Sequence, residues 1–219
     1  MTVQTHPNLQ GRLKSILANR LFSSGMISLI IKVAGAGLSY FMFVAFAHLL
    51  SAEDYGVFAF SFNLAIVVAA VAGFGYSTAV MRYWPKYLAQ DKPAYAKGAI
   101  KMGMQLTLVG VSVILLIGLL ADHFSSRNLL SIAALAATFC MGDFASGVLR
   151  AQHSVVGSML PRDVLWRILA PMAALAGIWF GYHLTSSVAV YICAFVLLVL
   201  LLGQIFLITQ ATRDRKSVV

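Results

Sequence analysis

Long apolar runs alternate along this chain with short polar connections that are mostly basic. The runs are continuous, without the alternation in twos that marks a half-buried strand. A bilayer's hydrocarbon core is about 30 Å thick and a helix rises about 1.5 Å per residue, so one crossing takes about 20 mainly apolar residues. Six stretches reach that length, near residues 23–49, 57–81, 99–121, 129–149, 164–183 and 187–209. Such runs do not fit the short alternating strands of a transmembrane barrel. The pattern predicts an all-α integral membrane protein with a basic N-terminus over 1–22, six transmembrane helices over 23–209 and a tail over 210–219. The first run is too long for a cleavable signal segment and lacks a small-residue cleavage pattern, so it is expected to persist as the first span.

Composition strengthens this reading. Hydrophobic residues make up 60% of the 219 positions and charged residues 11%, whereas a soluble domain carries roughly 25% charge. Lipid is the expected solvent. The two cysteines, Cys140 and Cys193, sit inside apolar runs without metal-type spacing and are expected to be packing residues. The histidines His6, His48, His123, His153 and His183 are scattered, so no metal site is expected. No HExxH, GxSxG or phosphate-binding loop pattern occurs, and the few acidic residues are widely separated, which argues against an enzyme and against a cofactor.

A net charge of +9 could point to nucleic acid, but the basic residues sit at the ends of apolar runs and form no single stripe. Topology accounts for them, and no nucleic-acid partner is expected. Arg12, Lys14 and Arg20 precede the first span. Arg82, Lys86, Lys92, Lys97 and Lys101 follow the second, Arg150, Arg162 and Arg167 follow the fourth, and Arg213, Arg215 and Lys216 close the tail. With six spans these share one side, leaving Arg127 alone on the other, so both termini are expected in the cytoplasm. Loops on the far side, at 51–56, 122–128 and 181–186, are too short to form a domain. Tyr83, Trp84, Tyr87 and Trp166, beside basic residues, read as an interfacial aromatic belt.

Two charges fall inside predicted spans. Lys32 lies about 15 Å into the first helix at about 1.5 Å per residue, too deep to reach the interface easily. A central Lys costs about 2.5–3.5 kcal/mol on insertion, which the apolar residues of that span offset, yet the charge still needs a polar environment. Gly25, Ser28, Gly35, Ala36 and Ser39 share its helical face, which suits close helix packing or a water-filled cavity. Asp143 repeats the pattern in the fourth span with Ala136, Cys140, Ser146, Gly147 and Arg150. Lys32 and Asp143 are therefore expected to face a common interior, as a neutralising pair or as cavity charges that meet a substrate or a coupling proton. Asn63, Gln105 and Gln204 read as interhelical hydrogen-bonding residues, Pro171 as a kink, and Asp163 with Arg167 as an interfacial ion pair.

At the first external turn the chain reads His48-Leu-Leu-Ser-Ala-Glu-Asp-Tyr-Gly-Val-Phe-Ala-Phe60. Leu50, Ser51, Glu53, Asp54, Tyr55 and Gly56 match a short turn that joins the first two helices of the polysaccharide-repeat flippases, and the chain resembles that family. Arg82-Tyr-Trp-Pro-Lys-Tyr87, and Leu149-Arg-Ala-Gln152 with Pro161, are similar to further stretches of it.

The resemblance implies an exporter of the multidrug, oligosaccharidyl-lipid and polysaccharide superfamily, which works by alternating access between two helical lobes. The implied substrate is a polyprenyl diphosphate bearing an oligosaccharide, of the O-antigen or teichoic type, flipped across the bacterial cytoplasmic membrane. Lys32, Arg82, Arg150 and Arg167 become the candidate cations for its diphosphate, with Asp143 facing the same interior. Family members have twelve or more helices, so six spans correspond to the amino-terminal lobe, completed by a missing carboxy-terminal lobe or by a second copy. Asp214-Arg-Lys-Ser-Val-Val219 is what a common sequencing-adapter read encodes, and these last six residues are expected to be artefactual. An ion-coupled drug antiporter of the same superfamily and a non-transporting scaffold for polysaccharide assembly are the alternatives.

Overall fold

The computed structural model describes the backbone of residues 7–125, 129–152 and 154–214, and the side chains of 25–121, 129–152 and 154–209. The expectations for Arg12, Lys14, Arg20, Arg127 and the 210–219 tail, Arg213 included, lie outside the described side chains. Every element among the described residues is helical.

Helix α1 (Pro7–Leu49) ends at Leu50, and α2 (Ala52–Ala72) starts two residues later. Ser51 permits this tight reversal by capping α2, its Oγ accepting from the Asp54 amide at 3.1 Å. This satisfies one of the amides that every helix start leaves without an intrahelical partner. The turn is shorter than the expected 51–56 loop, because Glu53 and Asp54 are first-turn residues of α2, where the helix dipole favours acids.

Helix α2 stops at Gly73, short of the expected residue 81. Phe74 and Gly75 both take positive φ, 48° and 64°, and glycine bears that conformation without the steric cost of a Cβ. The turn releases α3 (Tyr76–Ala89), which buries Val80 and Trp84 and exposes Arg82 and Tyr83. Helix α4 (Pro93–Ser125) then runs back along α3, and α5 (Leu129–Ala151) returns. Helix α5 is the hub, packed on α2, α3, α4, α6 and α8. The most apolar part of α5 is 67% buried, against 22–28% for the other long helices. Its alanines, Cys140, Ser146 and Gly147 let neighbouring backbones approach closely.

The next helical run has three parts: α6 (Val155–Leu160), a π turn (Pro161–Leu165) and α7 (Trp166–Trp179). Helix α8 (Ser186–Asp214) ends the described chain. Five helical stretches are long and apolar enough to cross a bilayer: Gly25–Leu49, Ala52–Ala72, Pro93–Ala121, Leu129–Ala151 and Ser186–Thr209. The chain is thus a multi-pass membrane protein, all-helical among the described residues. The expected run at 164–183 is not among the five, because the π turn leaves α7 only 14 residues.

Two helix starts far apart in the sequence meet at Asp54. Its Oδ2 accepts from Ser51 Oγ at 2.9 Å, and its Oδ1 accepts from the Ser186 amide at 3.1 Å. One carboxylate therefore caps the start of α8 while bracing the α1–α2 turn.

Candidate functional site

The π turn organises the site. Pro161 has no amide to return to the Gly157 carbonyl, and the wider turn bonds the Trp166 amide to the Pro161 carbonyl. Carbonyls freed in this way need donors, because lipid offers none. Gln204 Nε2 of α8 donates to Gly157 O at 3.3 Å and to Ser158 O at 3.2 Å, and Ser146 Oγ of α5 donates to Ser158 O at 3.0 Å. Arg167 Nη1 donates to Asp163 O at 2.7 Å. Three polar side chains from three helices thus support a single irregular turn.

On its other side the π turn faces a cleft of about 790 Å³ between α1, α2, α5 and α7. One end is aromatic. Phe62 stacks on Trp166 at 5.8 Å between ring centroids, with Phe43 and Phe139 set edge-on at 5.2 Å and 5.7 Å to members of that pair. The other end is charged, with Asp143, Arg162, Asp163 and Arg167 lining the wall. Asp143 and Arg162 form a salt bridge between partly exposed side chains, and Arg150 and Arg167 lie within electrostatic reach of the group. The Nε atoms of Arg150 and Arg167 are buried without a hydrogen-bond partner among the described residues.

Three guanidiniums against two carboxylates leave the group one positive charge in excess. Buried guanidinium donors without partners are suited to anionic oxygens. The aromatic end is suited to an apolar chain or ring. The cleft can therefore hold an amphipathic anion, with its charge beside the π turn and its apolar part along Phe43, Phe62 and Trp166.

Not all the residues predicted from sequence converge here. Asp143 lines the cleft, but its partner is Arg162, a residue that sequence reasoning used only for topology. Arg167 also lines the cleft, yet it bonds the Asp163 carbonyl rather than the carboxylate expected from four-residue spacing. Arg150 is near the charged group but is not a lining residue. Arg82 is exposed on α3, away from the cleft.

Lys32 is exposed on α1 and outside the cleft wall. Its neighbour Gly35, three positions on, is buried against the π turn: a Cβ there would come within 2.6 Å of Arg167 Nη1 and 2.7 Å of Asp163 O. The small residues around Lys32 thus include a close helix contact, and the lysine itself turns outward. The face expected around Asp143 is likewise divided, since Gly147 lies against Ser77 of α3 and Ser146 serves the π turn.

Sequence reasoning missed Arg162, Phe62, Phe139 and Trp166 as cleft residues. The available signal was Pro161, which in a buried helical run implies unpaired carbonyls and irregular backbone at a functional position. Comparison with protein-family models, with curated proteins and with solved structures returns no match.

Proposed function

We propose that this chain is one six-span lobe of a two-lobed exporter that flips a lipid-linked oligosaccharide across the bacterial cytoplasmic membrane, with both termini cytoplasmic and no enzymatic step. The observation that carries the reading is the cleft, cationic at one end and aromatic at the other. A polyprenyl diphosphate has the matching division, a dianionic head on an apolar chain. A lipophilic cation, the cargo of a drug antiporter, fits poorly beside Arg162 and Arg167.

The sixth crossing is supported by parity. Asp54, at the start of α2, is bonded to Ser186, at the start of α8, so both helices begin on one side. If α2, α4 and α5 each cross, the chain after α5 lies on the opposite side, and Val155–Trp179 must return it. Those helical pieces of 6, 5 and 14 residues reach about 37 Å at about 1.5 Å per residue, enough for a tilted crossing.

The lobe reading is supported by Lys32. Charged residues within membrane spans face a bundle interior or a water-filled cavity. An outward-facing Lys32 within Gly25–Leu49 calls for a further helical body on that side, either a second lobe or a second copy.

The test is binding of a fluorescent polyprenyl-diphosphate oligosaccharide to the purified chain in nanodiscs. Arg162→Gln and Arg167→Gln, each removing one cleft cation, are expected to weaken binding by about tenfold, as a charge-assisted contact of about 1.4 kcal/mol would. Equal binding by both variants and the parent would overturn the reading.

A further inference from the structure

A recess larger than the cleft lies elsewhere, between α3 and α4, at about 940 Å³. Its walls are tyrosines. Tyr83 and Tyr87 of α3 stack with centroids 6.1 Å apart, and Tyr95 of α4 stands 5.9 Å from Tyr87. Its floor is made of small residues one helical turn apart on α4, Ala94 and Gly98, with open space above Gly98. Tyr76, at the inner end, is fixed by donating to the Ala99 carbonyl at 3.0 Å.

The surroundings are strongly basic. Arg82, Lys86, Lys92, Lys97 and Lys101 belong to the segments that form the groove, against Asp91 alone, and Lys92 Nζ sits 5.9 Å from the Tyr95 ring centre. An aromatic cage for a cation would not carry that charge. The groove also spans a change of solvent. After Lys101, the last lysine of α4, a mainly apolar run from Met102 carries no charge before Asp122, and α3 changes character between Met81 and Arg82. That is the depth of lipid headgroups, where tyrosine and lysine both concentrate.

We propose that the α3–α4 groove is a binding site for an anionic phospholipid. The headgroup phosphate would lie between Lys86 and the Lys97–Lys101 edge, with the glycerol region against Tyr83, Tyr87 and Tyr95. The function is lipid-dependent anchoring of the α3–α4 elbow, and it is independent of what the cleft carries.

The test is native mass spectrometry of the purified, delipidated chain titrated with dioleoyl phosphatidylglycerol or dioleoyl phosphatidylcholine. The parent chain is expected to retain phosphatidylglycerol at least about tenfold more tightly, a difference of about 1.4 kcal/mol. Gly98→Leu fills the groove and leaves every charge in place, so it is expected to abolish that preference, as is Tyr95→Ala, with unfolding temperature and elution unchanged. Parent-like preference in both variants would mean diffuse surface attraction and would overturn the site. Equal retention of phosphatidylcholine by the parent, or equally tight binding of soluble glycerol 3-phosphate, would overturn the lipid assignment.

Discussion

Gln204 Nε2 lies 3.3 Å from the carbonyl oxygen of Gly157, the acceptor that Pro161 leaves without its helical amide. The glutamine is 3% exposed, which is tolerable for an amide only because it is bonded. Gln204→Leu keeps the volume and removes the donor, orphaning a buried carbonyl at a cost of about 1–3 kcal/mol. Denaturant or thermal unfolding in detergent measures it, and an unshifted midpoint would count against the role.

Proline and glutamine should be energetically coupled. In Pro161→Ala the restored amide can serve Gly157, so Gln204→Leu is expected to cost less in that background, by at least about 0.5 kcal/mol. Strict additivity in the double-mutant cycle would separate the two residues.

Gly35→Leu drives a side chain into the Asp163 carbonyl and Arg167, and is expected to destabilise by about 1–3 kcal/mol through overpacking. Gly25→Leu and Gly37→Leu, on the same helix with open space around them, provide the comparison and should fall within about 0.5 kcal/mol of the parent. Similar losses at all three positions would place the cost in α1 itself.

Asp143 and Arg162 are 36% and 28% exposed, so solvent in the cleft screens their attraction. A double-mutant cycle with Asp143→Asn and Arg162→Gln is expected to return a coupling of about 0.5–1 kcal/mol that falls as salt rises. A coupling of several kcal/mol, insensitive to salt, would instead indicate a dry pair.

Cysteines at Asp54 and Ser186, in a background where the buried Cys140 and Cys193 are replaced by alanine, are expected to cross-link in membranes under mild oxidation. Cross-linking reports that α2 and α8 start on the same side. If the pair stays reduced while both thiols remain accessible to a soluble reagent, the parity argument loses its basis.

Five of the six expected spans were legible because lipid imposes a composition, and continuous apolar length survives most packing detail. The breaks were less legible. The stop at Gly73 depends on two positive φ angles, one of them at Phe74, a residue no turn rule favours. The π turn was hidden because its carbonyl partners, Ser146 and Gln204, come from distant helices. The candidate site was half visible for a related reason. Asp143 and Arg167 stand out as charges in apolar runs, but the partner of Asp143 sits in a polar stretch that reads as a loop. Lys32 looked equally buried by depth, since depth along a helix says nothing about which way the side chain faces.

The bond from Asp54 to Ser186 also has a clock in it. Asp54 leaves the ribosome 132 positions ahead of its partner, which at typical synthesis rates is on the order of 10 s. During that interval Asp54 Oδ2 can already accept from Ser51, while Oδ1 still lacks the Ser186 amide. The start of α8 follows α1 to α7, so the bundle is fastened at that corner only when all the helices between have been made.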